Sequence, residues 1–178
     1  MGREVRKVPY NWNHPKTSDD AYIPLRGGSF KRDAEEWDFG YQNWKEGLRA
    51  KYVFDAEAGE GRDEWVPKDD DMGMPYSEWA GCRPDDADYM PDWPDEERTH
   101  FQMYEDTSEG TPISPVMETP EELARWLADN GASAFGDMTA TYEQWLPICR
   151  GGFAPSMVVT GGRIISGVEA MAETESDQ

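Results

Sequence analysis

The chain has 178 residues, with 17 basic against 37 acidic side chains and a formal charge of −20, and a mean hydropathy of −0.87. That length fits one domain. Such a field repels nucleic acid and anionic lipid, so direct nucleic-acid binding is not expected; it attracts basic proteins, although the same acidity also serves plain solubility. No run reaches the roughly 18 apolar residues of a membrane span, and the charged N-terminus lacks the apolar stretch of a secretory signal.

Eight Trp, eight Tyr and six Phe are too much apolar area to leave in water, so an aromatic-rich core is expected beneath the charged surface. Thirteen Pro and seventeen Gly predict long irregular loops around it. The two cysteines, Cys82 and Cys149, could form one disulfide at most; with nothing to suggest an oxidising compartment they read as two semi-buried thiols of a cytoplasmic protein.

In chain order, residues 1–32 carry Pro9, Pro15 and Pro24, no helical period, and seven bases against three acids. They read as an extended basic arm that Val5, Val8, Tyr10 and Trp12 would dock on the domain. Asp33 with Glu36 fits a helix N-cap and its reciprocal acid. Trp37, Tyr41, Trp44 and Leu48 then recur on one helical face, best explained as core packing, with Gly40 a weak point. Asp55 to Pro75 reads as an acidic loop, part of a loop region 55–98 in which Ser77–Ala80 makes a helical turn. Thr99 to Glu105 alternates as a strand. Thr107 to Pro115 is irregular, because Gly110, Pro112 and Pro115 break both helix and ladder.

Thr119, Pro120 and Glu122 open a second helix with a capping box; Leu123, Trp126 and Leu127 form its buried face and Gly131 closes it. Thr141 and Gln144 start a third, holding Trp145, Leu146 and Ile148, with Pro147 inside and Gly151-Gly152 at its end. Met157 to Ile165 reads as a β-hairpin around Gly161-Gly162. The fold class is therefore α+β: one small mixed domain over 33–168 with a few helices, a short antiparallel sheet or hairpin and long loops. Residues 169–178 read as a disordered acidic tail.

Charge is concentrated. Residues 55–122 hold twenty-two acids against four bases. Trp65, Tyr76, Trp79, Tyr89 and Trp93 interrupt the acidic run and are expected to pin it to the body. The carboxylates offered as a partner-binding surface are Asp63, Glu64, Asp69, Asp70, Asp71, Asp85, Asp86, Asp88, Asp92, Asp95, Glu96 and Glu97.

Tests for chemistry fail one by one. The histidines, His14 and His100, lie far apart with no partner at metal-ligand spacing. Asp69-Asp70-Asp71 lacks the glycine and closing glutamate of a calcium loop. Gly27-Gly28 and Gly161-Gly162 lack the lysine and helix start of a phosphate loop. Ser108-Glu109-Gly110-Thr111 offers a hydroxyl beside an acid, but no base, in a proline-flanked loop. No catalytic, metal or cofactor site is expected; an enzyme reading would need His14 or Glu109 to prove essential.

Several motifs together resemble a family of uncharacterised phage and prophage proteins: Glu4-Val-Arg-Lys-Val-Pro9, Trp12-x-His14-Pro15, Tyr22-x-Pro24-Leu25, Glu78-Trp79-Ala-Gly81, Phe101-Gln-x-Tyr104-Glu105, Ser108-Glu-Gly-Thr-Pro-x-Ser-Pro115, Glu122-Leu-Ala-x-Trp-Leu127 and Gly152-Phe-Ala-Pro-Ser-Met157. The resemblance implies a phage-borne accessory protein of the bacterial cytoplasm and no particular activity. Joined to the acidity, it gives the leading expectation: an inhibitor of a basic host protein or nucleoprotein complex, of the restriction or CRISPR type, that acts by nucleic-acid mimicry. The alternative is a virion or assembly protein that docks through its N-terminal arm.

Overall fold

The computed structural model describes residues 2–55, 59–69, 72–105, 110–160 and 162–176. Its first elements are β1 (Arg3–Val8), α1 (Phe30–Lys45), β2 (Leu48–Asp55), β3 (Glu60–Pro67), α2 (Tyr76–Ala80) and a 3-10 turn (Asp86–Asp88). There follow β4 (His100–Glu105), β5 (Thr111–Pro112), α3 (Pro120–Asp129), α4 (Tyr142–Gly151), β6 (Phe153–Ala154), β7 (Met157–Thr160), β8 (Arg163–Ser166) and α5 (Gly167–Ser176). The α+β class is as expected. The chain divides into two compact units, Met1–Gly27 with Met90–Gln178, and the inserted Gly28–Tyr89.

The first unit is built on a four-stranded sheet of order β5-β4-β1-β6. Here the arm reading is corrected. Residues 3–8 are an internal strand, paired antiparallel with β4 from Arg3↔Glu105 to Val8↔His100 and with β6 at Arg3↔Ala154. Both of its arginines are buried. Arg3 donates from Nε to the Ser133 carbonyl at 2.7 Å and from Nη2 to Ser133 Oγ at 3.0 Å, so its charge serves the interior and not a docking arm.

One sheet face meets α3 and α4. Val5, Phe101 and Met103 pack there with Leu123, Ala124, Leu127, Trp145, Ile148 and Cys149. The helices form where their caps sit. Thr119 Oγ1 accepts from Glu122 N, with Pro120 in the first turn. Thr141 and Gln144 complete a reciprocal capping box, and Gly152 closes α4 in the left-handed region at φ 98°. Pro147 is accommodated within α4. The expected hairpin is β7–β8, in register from Met157↔Ser166 to Thr160↔Arg163. The tail is corrected as well: Gly167 to Ser176 is helical, and Ser166 Oγ accepts from Glu169 N at 3.1 Å, the N-cap signal that the acidic composition hid.

The inserted unit is held by rings. Ser29, not Asp33, caps α1, its side chain accepting from Arg32 N. Of the aromatic stripe expected as core only Trp44 is buried; Trp37 is half-buried, Tyr41 is exposed, and Leu48 lies beyond the helix in β2. Trp37 stacks on Tyr41 at 5.4 Å, and Tyr76 of α2 lies against Trp37, Tyr41 and Trp44. Trp79 stacks on Trp44 at 5.7 Å. Gly40 is less a weak point than a close approach: a Cβ there would lie 2.0 Å from Tyr76 Oη.

The acidic loop over 55–75 is the largest correction. Much of it belongs to an antiparallel hairpin, β2–β3, paired from Leu48↔Pro67 to Asp55↔Glu60. Tyr52, Val53, Phe54, Trp65 and Val66 supply the β-branched and aromatic side chains of a ladder, and the charges between them mask the alternation.

Candidate functional site

The aromatics do pin the acidic run within each unit. Trp65 meets Phe39 edge-on at 5.6 Å, and Tyr89 is buried against Phe30, its hydroxyl donating to Asp33 Oδ2 at 3.0 Å. In the first unit Trp93 packs on Trp12 with ring centres 4.7 Å apart.

The candidate carboxylates divide between the units. Asp63 and Glu64 stand on β3, Asp69 follows it, and Asp85, Asp86 and Asp88 surround the 3-10 turn, all in the inserted unit. Asp92, Asp95, Glu96 and Glu97 belong to the first unit. Asp70 and Asp71 lie outside the described residues, as do Ser108 and Glu109.

Several of these acids are already engaged. Glu64 takes a hydrogen bond from Arg62 at 2.7 Å, Asp69 from Arg49 at 2.9 Å, and Asp95 pairs with Arg98. Asp85 accepts from Ala87 N at 3.0 Å and so caps its own turn. Among the described residues Asp63, Asp86, Asp88, Asp92, Glu96 and Glu97 are exposed and make no ion pair. Those six are the charges free to meet a partner.

A second polar centre, not found by reading the sequence, lies beneath the other face of the four-stranded sheet. The pleat puts Glu4, Arg6, Gln102 and Tyr104 on this face. Trp12 Nε1 donates to Tyr104 Oη at 3.0 Å, and Tyr104 donates to Gln102 Oε1 at 2.8 Å. Gln102 is oriented by its own donation to the Ser114 carbonyl at 2.8 Å. The Arg6 guanidinium lies 4.4 Å from the centre of the Tyr104 ring and donates to the Leu25 carbonyl and to Glu4. His14 closes the set, with Nε2 2.6 Å from the Ile23 carbonyl and Nδ1 3.2 Å from Tyr104 Oη. A carbonyl can only accept, so the proton of the neutral ring is on Nε2; Nδ1 is then an acceptor that competes with Gln102 Oε1 for the single Tyr104 hydroxyl proton.

Burial biases the two titratable groups of this centre, Tyr104 and His14, toward their neutral forms. Burial pushes the Tyr104 hydroxyl up to about 12, against smaller downward pulls from Trp12 and Arg6. Burial, aided by Arg6, holds His14 below its ordinary value, against the upward pull of Ile23. A neutral imidazole and a phenol that keeps its proton fasten residues 9–25 over the sheet. The one hint in the sequence was Trp12-x-His14-Pro15, a rigid turn; its partners 90 residues away were not visible.

Cys149 is buried, and burial, with Glu121 nearby, raises its thiol to about 12, far from a reactive thiolate. An open hollow of about 440 Å³ beside the start of α4 is lined by Arg125, Asp129, Tyr142 and Glu143. Glu143 and Thr141 already occupy the helix terminus there. Among the described residues no three His, Cys, Asp or Glu side chains are grouped to hold a metal, and no helix is long and apolar enough to cross a membrane. Comparison with protein-family models, with curated proteins and with solved structures finds no match.

Proposed function

We propose that this protein is a binding module, not an enzyme, that offers fixed carboxylates to a basic, nucleic-acid-binding surface of another protein and so takes the place of nucleic acid there. The observation that carries this reading is the set of six exposed, unpaired acids on ordered, aromatic-anchored backbone, in a chain of charge −20. Duplex DNA presents about one negative charge per 1.7 Å of axis, and a groove built for that density attracts ordered carboxylates by the same steering field. The resemblance to phage proteins makes a host defence complex of the restriction or CRISPR type the intended target, met in the bacterial cytoplasm. The rival reading is a virion or assembly protein that docks through its N-terminal arm; with residues 3–8 paired inside the sheet, that docking would fall to residues 9–32.

The test is capture from host extract. The protein is immobilised beside a variant carrying Asp63→Asn, Asp86→Asn and Asp88→Asn. Support is a protein that the parent retains, that duplex DNA elutes, and that the variant fails to hold. Retention by both forms alike, insensitive to DNA, refutes the proposal.

A further inference from the structure

The β2–β3 hairpin carries an aromatic surface that packing does not explain. Tyr52 is 66% exposed, and Phe54 and Phe39 are each 59% exposed. The register places Tyr52 opposite Asp63, Phe54 opposite Gly61 and Ala50 opposite Trp65, so the rings and Asp63 share one face of the ribbon. Phe39 joins that face through its contact with Trp65. Arg49, Lys51, Arg62 and Glu64 belong to the opposite face.

The surface is shaped. A Cβ at Gly61 would lie 1.8 Å from Tyr52 Oη and 2.7 Å from Cε2. The Tyr52 ring therefore lies across the neighbouring strand, over a residue with no side chain. At about 200 Å² a ring, the three exposed rings leave on the order of 350 Å² in water, within the range of functional patches. That is smaller than the roughly 800 Å² per partner of a standard interface, so it suits an anchoring core and not the whole contact.

Charge selects the occupant. Residues 28–89 hold seventeen acids against eight bases, which repels phosphate and favours a cation. Where cations of this unit reach a ring they lie over it: Lys45 Nζ is 4.8 Å from the Tyr41 centre and Lys68 Nζ 4.4 Å from Trp44. Among the described residues no cation lies over Phe39, Tyr52 or Phe54, and Asp63 has no ion pair. A ring face beside an unpaired carboxylate matches guanidinium, which stacks flat while its N–H fork meets the acid; ammonium does one or the other less well.

We propose that the Phe39–Tyr52–Phe54–Asp63 face of this hairpin docks an arginine-bearing segment of the protein partner. The inference rests on the binding role above, whose acids steer the partner while these rings hold it.

The experiment titrates the full chain with two peptides of equal length and charge, one built from Arg-Gly-Ser repeats and one from Lys-Gly-Ser repeats. Binding is followed through backbone amide shifts of residues 48–67. The arginine peptide is expected to bind about fivefold tighter, with shifts centred on 52–54 and 61–63. The preference should vanish in a Tyr52→Ser/Phe54→Ser variant of unchanged melting temperature and survive in Tyr52→Phe/Phe54→Tyr. Equal affinity for both peptides, unaltered in the serine variant, overturns the hairpin inference and leaves the electrostatic reading standing. Failure of both peptides to bind at low salt removes both.

Discussion

Replacing Gly40 by alanine sets two known effects against each other. Helix propensity alone favours alanine by about 0.8–1.0 kcal/mol at an interior helical position. Packing opposes it, because the added Cβ would meet Tyr76 Oη at 2.0 Å and Cζ at 2.9 Å. The tyrosine cannot swing aside freely, since its ring lies within 6.0 Å of Trp37, Tyr41 and Trp44. Overpacking costs about 1–3 kcal/mol, and weakening the ring contacts adds about 0.5 kcal/mol or more for each one lost. The net expectation for Gly40→Ala is destabilisation of the inserted unit by about 1–2 kcal/mol. In a Tyr76→Leu background the obstructing atoms are gone, and the same change should stabilise by several tenths of a kcal/mol to about 1. Urea unfolding with amide hydrogen exchange of α1 measures both arms. A Gly40→Ala variant more stable than the parent, or the same effect in both backgrounds, refutes the packing argument.

Other consequences follow from the first unit. Tyr104→Phe leaves Trp12 Nε1 and Gln102 Oε1 without their partner and should cost about 1–3 kcal/mol in chemical denaturation. With a thiol reagent the native protein should react only at exposed Cys82, and Cys149 only after denaturation. For pH, His14 has a folded value depressed below its unfolded 6.5. The unfolded chain therefore binds the extra proton first, and stability is lost as pH falls through about 6.5. The depressed carboxyls of Asp38, beside Arg83, and Glu121, beside Arg150, add further loss below their unfolded values. A melting temperature that falls from pH 7 to 5, with a smaller fall in His14→Asn, checks the histidine's share.

What the sequence made legible is what local chemistry encodes. Thr119-Pro120 and Thr141-x-x-Gln144 announce α3 and α4 through groups three residues apart, and the Met157–Ile165 hairpin announces itself by its turn. The strand β1 was hidden because its arginines are buried by partners remote in the chain: Ser133 for Arg3, Leu25 for Arg6. The hairpin β2–β3 was hidden because charge outweighs hydrophobic alternation in a ribbon with much of both faces in water. Of the candidate surface, the aromatic anchoring was readable from composition. The pairing of Glu64, Asp69 and Asp95 with nearby arginines, which removes them from the free set, was not.

The most direct test of mimicry is equilibrium competition on the captured partner. Labelled duplex DNA is titrated onto it at rising concentrations of this protein and at two salt concentrations. Mutually exclusive binding is predicted: the apparent dissociation constant of DNA rises in proportion to added protein, and both affinities weaken steeply with salt. A stable ternary complex of partner, DNA and this protein, with affinity indifferent to salt, would contradict it.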